Sequence, residues 1–284
     1  MAFEIPQIPL AEWCDIALDW ATDHFSGVTR AMSAVVGTGI EATTDFLVGL
    51  PPWLVIAAFG LIVWRLTTVR IALWSVLGFL FLWNVELWRA TLQSLVLVLV
   101  STLFALAIGI PIGIGAALSK RFWRVASPAL DMMQTMPSFV YLIPAIPFFG
   151  LGAVSASFAT IVFAMPPTIR LTALGILQTP PMLVEAADAF GSTKWQKLFK
   201  IQLPLAIPTI MAGINQTIML ALSMVVIAAM IGAGGLGGEV WKAIQRLEAG
   251  MGFQAGIAIV VLAVILDRIT QHIARRLRTD TEHG

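Results

Sequence analysis

The sequence predicts an all-α polytopic membrane protein. Hydrophobic residues make up 58% of the 284 and charged residues only 12%, the mean hydropathy is +0.90, and long apolar runs alternate with short clusters of Lys and Arg. Ordinary soluble domains carry about 25% charged residues, so this composition requires an apolar solvent around much of the chain. A formal net charge of +1 argues against a general nucleic-acid-binding surface. The single cysteine, Cys14, rules out an internal disulfide or a multi-thiolate site, and the three histidines are widely separated, so no metal ligands are assigned.

Residues 1–46 read as an amphipathic segment. Leu10, Trp13, Ile16, Ala17 and Trp20 recur at helical spacing, with Glu12, Asp15, Asp19 and Asp23 between them. Such a helix either lies at a membrane interface or packs on the protein. No basic stretch followed by an uninterrupted apolar run marks a secretory signal. Seven apolar stretches follow, at 47–64, 69–88, 90–118, 132–150, 154–176, 206–231 and 253–271, each near the ~20 residues needed for a crossing. Arg65 and Arg70, then Lys120, Arg121 and Arg124, then Lys194, Lys197 and Lys200, and finally Arg275, Arg276 and Arg278 fall in alternate connections. The positive-inside rule places all four groups on the cytoplasmic side, with the N-terminus outside. Arg30, Arg89, Lys242 and Arg246 then lie outside, where Glu86, Glu239 and Glu248 are available as partners.

Several spans contain residues that interrupt helices. GIPIGIG at 109–115 and MPSFVYLIPAIP at 136–147 predict kinks or broken helices, used either for bundle packing or for a gate. Asn84, Gln93, Gln134, Tyr141, Asn215 and Gln216 place polar groups in apolar surroundings, for helix-to-helix hydrogen bonds or for contact with a solute. No repeated acidic pair inside the spans supports ion-coupled transport. HExxH, CxxC and a phosphate loop ending in GK[ST] are all missing from the sequence. IGAGGLGG, from Ile231, lacks the terminal Lys and the strand–helix context of a nucleotide loop, and reads instead as an outer turn leading into a close-packed helix. The chain is therefore not expected to be an enzyme, and any ATP hydrolysis belongs to another subunit.

Residues 185–204, EAADAFGSTKWQKLFKIQLP, break the apolar pattern between two spans. Ala186, Ala187, Ala189, Phe190, Trp195, Leu198 and Phe199 offer apolar contacts, while Lys194, Lys197 and Lys200 keep a neighbouring surface hydrated and cationic. Gly191 permits a sharp bend and Pro204 limits the second helical stretch. A short helix–turn–helix with aromatic anchors fits a groove on a partner, and its rigid attachment to two spans would carry the partner's displacement into the membrane.

The spacing Glu185-Ala186-Ala187, Gly191, Ile201, Leu203-Pro204 resembles the coupling-loop motif of importer permeases of the ATP-binding-cassette transporter family. QTMPSFVYLIP at 134–144 and IGAGGLG at 231–237 are similar to segments of the glycine betaine/proline and choline transport permeases. The resemblance covers about residues 86–275. It implies a type I importer permease core of five helices at 89–275, including a cytoplasmic coupling loop at 180–205, two additional N-terminal spans at 47–88, the external amphipathic segment at 1–46 and a cytoplasmic tail at 276–284. It further implies a bacterial inner-membrane location and a complex with a second permease copy, two cytoplasmic ATPase subunits that bind ATP and Mg, and a separate periplasmic binding protein. Glu185, Ala186, Ala187 and Gly191 would enter the ATPase groove, with Ile201 and Pro204 setting the return to the membrane. The implied cargo is glycine betaine, proline betaine, carnitine, choline or a related solute; the glycine-rich segment also resembles methionine and phosphonate importers, which leaves those solutes as the alternative. Trp83, Phe139, Tyr141 and Phe148 are candidate path residues, because aromatic faces attract quaternary ammonium groups.

Overall fold

A computed structural model describes residues 9–282, with side chains through residue 277; the last two residues of the predicted 276–284 tail lie outside the described residues. Twelve α-helices account for most of that span. They are α1 (Leu10–Gly49), α2 (Pro52–Leu66), α3 (Val69–Asn84), α4 (Trp88–Leu118), α5 (Lys120–Thr135), α6 (Leu142–Phe149), α7 (Ala153–Leu177), α8 (Pro181–Ala189), α9 (Lys194–Lys197), α10 (Leu203–Ala229), α11 (Gly235–Arg246) and α12 (Ala249–Glu282). A 3₁₀ turn at Ser138–Tyr141 precedes α6, and a π turn at Leu198–Gln202 joins α9 to α10.

Small residues set the centre of the bundle. Gly109 on α4 meets Met165 and Thr168 on α7, and Gly113 meets Ile169 and Thr172 four residues further along each helix, so α4 and α7 run parallel. A Cβ on Gly113 would stand 2.7 Å from the Ile169 carbonyl oxygen, which shows how closely the two backbones approach. The α7–α10 pair is antiparallel: Gly175 faces Ala206, Gly213 faces Leu171, and the Thr168 and Thr217 hydroxyls lie 2.7 Å apart. Thr217 also lies 3.0 Å from the Ala164 carbonyl, giving this buried pair a backbone acceptor. In an apolar solvent such small-residue contacts and buried hydroxyl bonds hold helices together, since lipid competes with larger apolar side chains. The main core cluster extends from here through Leu92, Val98, Leu222, Met224 and Leu262.

Parallel α4 and α7 require the chain to cross back between them. The sequence predicts a span at 132–150 for this return, kinked or broken within 136–147, and the structure breaks it there: α5 and the 138–149 segment form a bent pair with an angle of 112°. Pro137 lacks a donor and holds Met136 extended (φ −69°, ψ 136°), which ends α5. Lys120, Arg121 and Arg124 lie on the exposed or partly exposed surface of α5, and Asp131 near its end pairs with Arg170 of α7. A second bend, of 109°, separates α1 from α2. Pro51 keeps Leu50 extended, and Pro52 sits at the first helical position. The amphipathic helix thus continues to Gly49, past the predicted boundary at 46, and α2 is correspondingly short.

Four helices are long and apolar enough to cross a membrane alone: Trp88–Leu118, Ala153–Leu177, Lys194–Ala229 and Ala249–Leu277. The two bent pairs bring the count to six among the described residues, and α3 is a shorter apolar helix. α1 lies against α4, α6 and α7. Its contacts include Ser33 to the Phe149 carbonyl and Asp45 to Arg89 at 3.5 Å, so Arg89 takes an aspartate of α1 as its partner. Trp13, Ile16 and Trp20, the predicted apolar stripe, remain exposed.

The glycine-rich turn after α10 packs as tightly as its composition predicts. The Gly235 and Leu236 amides, at the start of α11, donate to Gln93 Oε1 (3.1 Å) and Ser94 Oγ (2.8 Å) of α4. A Cβ on Gly237 would fall 2.2 Å from the Val225 carbonyl oxygen, whereas Gly238 has nothing within 4 Å. Gly237→Ala is expected to destabilise the protein by about 1–3 kcal/mol through overpacking. Gly238→Ala should be neutral or slightly stabilising, because alanine favours helix by ~1 kcal/mol. Thermal unfolding of the detergent-purified variants, followed by tryptophan fluorescence, checks the contrast.

Candidate functional site

The connection between α7 and α10 folds into a compact hook. Pro180 is extended and Pro181 opens α8 without a lost hydrogen bond. At the other end of α8, the Gly191 amide donates to the Asp188 carbonyl and the Ser192 amide to the Ala187 carbonyl, both at 2.9 Å. This pattern is a Schellman motif, and it needs a left-handed residue after the helix. Gly191 supplies it with φ +73°. The chain then re-enters helix through a capping box: the Gln196 amide donates to Thr193 Oγ1, and the Thr193 amide to Gln196 Oε1. A π turn carries α9 into α10, with the Leu203 amide reaching the Leu198 carbonyl. Pro204 has no amide to continue the ladder, and the widened turn accommodates it.

One buried side chain anchors the hook. Leu198 is fully buried with Ile176, Ala206 and Ile210, against Ile110, Ile114 and Ala117 of α4. Lys197 Nζ lies 2.5 Å from Asp188 Oδ1 and clips the two limbs together. That pairing corrects the expectation of three hydrated lysines: Lys197 is turned inward with 17% of its side chain exposed, while Lys194 and Lys200 are exposed. Ala187 is buried, Ile201 and Pro204 are half-buried at the return to α10, and Glu185, Ala186 and Gly191 face outward. Beside them Phe190 is 90% exposed, and the exposed Trp195 and Phe199 stack with ring centroids 5.9 Å apart. The hook therefore presents apolar rings on a surface rigidly joined to α7 and α10.

The four aromatic path candidates occupy separate neighbourhoods. Trp83 lines a surface cleft with Leu80, Phe81 and Asn84 near the end of α3. Phe139 is exposed, and Tyr141, the last residue of the 3₁₀ turn before α6, is buried against Phe163, its hydroxyl donating to the Met133 carbonyl. Phe148 lies by α1, in a cleft lined by Thr22, Asp23 and Arg30. No ring contact joins any two of these four among the described residues.

Of the polar residues within the spans, Asn215 and Gln93 make hydrogen bonds between helices. Asn215 donates to Asp267 Oδ1 (3.1 Å) and accepts from Thr270 (2.6 Å), and Gln271 donates to both Asp267 oxygens at 2.8 Å. This network ties α10, and hence the hook, to α12. Gln93 and Ser94 hold the start of α11 in the same manner. Only the polar identity of Asn215 and Gln93 pointed to such contacts; their partners are far away in sequence.

Comparison with known proteins assigns the family. Residues 109–279 match the family described as the binding-protein-dependent transport system inner membrane component. The chain belongs to this family of transport permeases. It is 50% identical to the glycine betaine/carnitine transport permease protein GbuB of Listeria monocytogenes serotype 1/2a (strain 10403S), over 97% of this chain and 99% of the relative. It is also 50% identical to the glycine betaine transport system permease protein OpuAB of Bacillus subtilis (strain 168), over 95% of each. Identity to the glycine betaine/proline betaine permease ProW of Escherichia coli (strain K12) is 45%, over 96% of this chain and 77% of the relative. Among solved structures, an inward-facing form of the MetNI methionine ABC transporter has a chain matching at 26% identity with a TM-score of 0.59, over 68% of this permease and 95% of that chain. These likenesses establish a multi-pass inner-membrane permease with a type I importer fold.

Leu198→Ala removes the anchor from this permease's hook. A loss of about 2–5 kcal/mol is expected for truncating a buried leucine, concentrated locally because the residue belongs to the small cluster at the hook. Limited proteolysis should cut the 190–200 region faster in Leu198→Ala than in the parent protein, with the rest of the bundle still resistant.

Proposed function

We propose that this chain is the membrane-spanning subunit of an ATP-driven importer for a small osmoprotectant, such as glycine betaine, proline betaine, carnitine or choline. The observation that carries the mechanism is the hook: Glu185, Ala186 and Gly191 are exposed beside Phe190, Trp195 and Phe199, while Leu198 fixes the same loop to α4, α7 and α10. A partner that grips the exposed side therefore pulls on the helices. The substrate class rests on the named solutes of the permeases at 45–50% identity. The methionine transporter shares the fold at 26% identity, which gives the methionine or phosphonate alternative less support.

The complex would contain a second copy of this chain, two ATPase subunits and a separate binding protein. The 181–204 hook and the C-terminus face the cytoplasm, and α1 lies on the periplasmic side, as the arrangement of Lys and Arg directs. ATP and Mg are held by the ATPase subunits. Closing of the ATPase pair moves the two hooks together and favours an outward-facing path; hydrolysis and release restore the inward-facing one. Glu185, Ala186, Ala187, Gly191, Ile201 and Pro204 serve coupling, and none acts on the solute chemically. Nothing in this cycle requires a bond in the cargo to change, so the subunit is non-catalytic.

Two measurements test this reading. Proteoliposomes containing the chain with its ATPase and binding protein should take up radiolabelled glycine betaine only with internal ATP; uptake without ATP would overturn the proposal. In the same assembly Gly191→Val should reduce uptake at least tenfold, because a β-branched residue at φ +73° costs roughly 1–2 kcal/mol and displaces the docking surface. Gly191→Asn, which tolerates left-handed backbone, should retain most of the activity.

A further inference from the structure

A groove of about 540 Å³ lies between α3 and α12. Its walls include Trp74, Gly78 and Phe81 from α3 and Val260 and Val264 from α12, and Arg70 and Arg268 also line it. Packing fixes where those arginines sit. Gly78 faces Val261 and Ile265, while the Val85 carbonyl accepts from Gln254. The helices are therefore antiparallel, and continuing the register places Arg70 level with about residue 270. Both guanidinium-bearing residues thus stand at one end of an otherwise apolar groove. Neither has an ion-pair partner among the described residues, and both are exposed. Asp267, next to Arg268, is already bound by Asn215 and Gln271.

The dimensions match one lipid leaflet. From Arg70 to Phe81 the helix rises about 16 Å, half of a hydrocarbon core ~30 Å thick. Trp74, Val260 and Val264 are each at least half exposed along that length, so an acyl chain has an open lateral entrance. Gly78 lets α3 lie close against α12: a Cβ there would come within 2.8 Å of Ile265. We propose that this groove binds one anionic phospholipid, its phosphate between Arg70 and Arg268 and an acyl chain against Trp74, Phe81, Val260 and Val264. Charge selects this occupant over a second copy of the chain. A twofold contact through the same face would bring both pairs of guanidinium groups together, and like charges repel. The bound lipid fills the space between α3 and α12, through which the N-terminal α2–α3 pair meets the core. The inference requires only the inner-membrane placement of the family, and does not depend on which solute is carried.

Native mass spectrometry of the detergent-purified assembled transporter, titrated with phosphatidylglycerol or phosphatidylcholine of the same acyl chains, tests the site. One tightly held phosphatidylglycerol per permease copy is expected, with phosphatidylcholine at least tenfold weaker. Arg70→Gln combined with Arg268→Gln should weaken phosphatidylglycerol about tenfold to thirtyfold, since each basic residue contributes roughly 1 kcal/mol toward an anionic lipid. Val264→Trp, which narrows the apolar groove and keeps both arginines, should also weaken it, whereas Arg65→Gln in the last turn of α2 should not. Equal binding of the two lipids, or an unchanged affinity in the double variant, would overturn the proposal. So would efficient disulfide crosslinking between copies through Val260→Cys in a Cys14→Ser background in native membranes, which would show that protein covers the groove. Glycine betaine uptake by the same preparations reads the transport assignment separately.

Discussion

The close approach of α4, α7 and α10 is the constraint on which the rest of the molecule depends. Gly109 and Gly113 let α7 lie against α4, and Gly175 and Gly213 let α10 lie against α7. Lipid removes most of the advantage of burying a large apolar side chain, so the helices hold through dispersion at short range and through hydroxyl bonds such as Thr168 with Thr217. The contact also fixes direction. Because α4 and α7 are parallel, the intervening segment must return across the bundle, and the broken α5–α6 unit performs that return.

The hook inherits its position from the same contact. α7 leads into it and α10 leads out, and Leu198 inserts between them at the level of Ile114 and Ala117 of α4. A force on Phe190 or on the Trp195–Phe199 pair therefore acts on a packed unit. Hydrogen bonds extend that unit sideways, from Asn215 to Asp267 on α12 and from α4 to the start of α11 through Gln93 and Ser94. Motion that reaches the opposite end of the bundle has a continuous path of such contacts to follow. α1 and the α2–α3 pair sit outside this unit, and a groove opens between α3 and α12.

Local chemistry was legible residue by residue. Gly191 as a bend and 231–237 as a close-packed turn both followed from backbone freedom, because the cause lies within a few residues of the effect. Pro204, by contrast, expected to limit a helix, lies inside a continuous one at 194–229 whose π turn accommodates it. The fourth apolar stretch was legible in part. The prolines of 136–147 mark an interrupted helix, but neither they nor hydropathy sets the 112° at which the two pieces meet. The partners of Lys197 and Asn215 were hidden for a related reason: a charge or an amide announces a need for a partner without saying which one folding will supply. The aromatic path candidates met the same limit, since four rings selected by type lie in different parts of one protomer.

The sequence by itself determined an all-helical membrane permease with a polar loop bent at Gly191, because apolar length and the conformational limits of Gly and Pro act locally. The tertiary structure decided which helices are parallel, at what angle the return segment bends, how Leu198 and the Lys197–Asp188 pair seat the hook, and that Arg70 stands beside Arg268 across a groove. Those outcomes depend on distances between helices remote in sequence, and the shapes of both surfaces must be known before such distances exist.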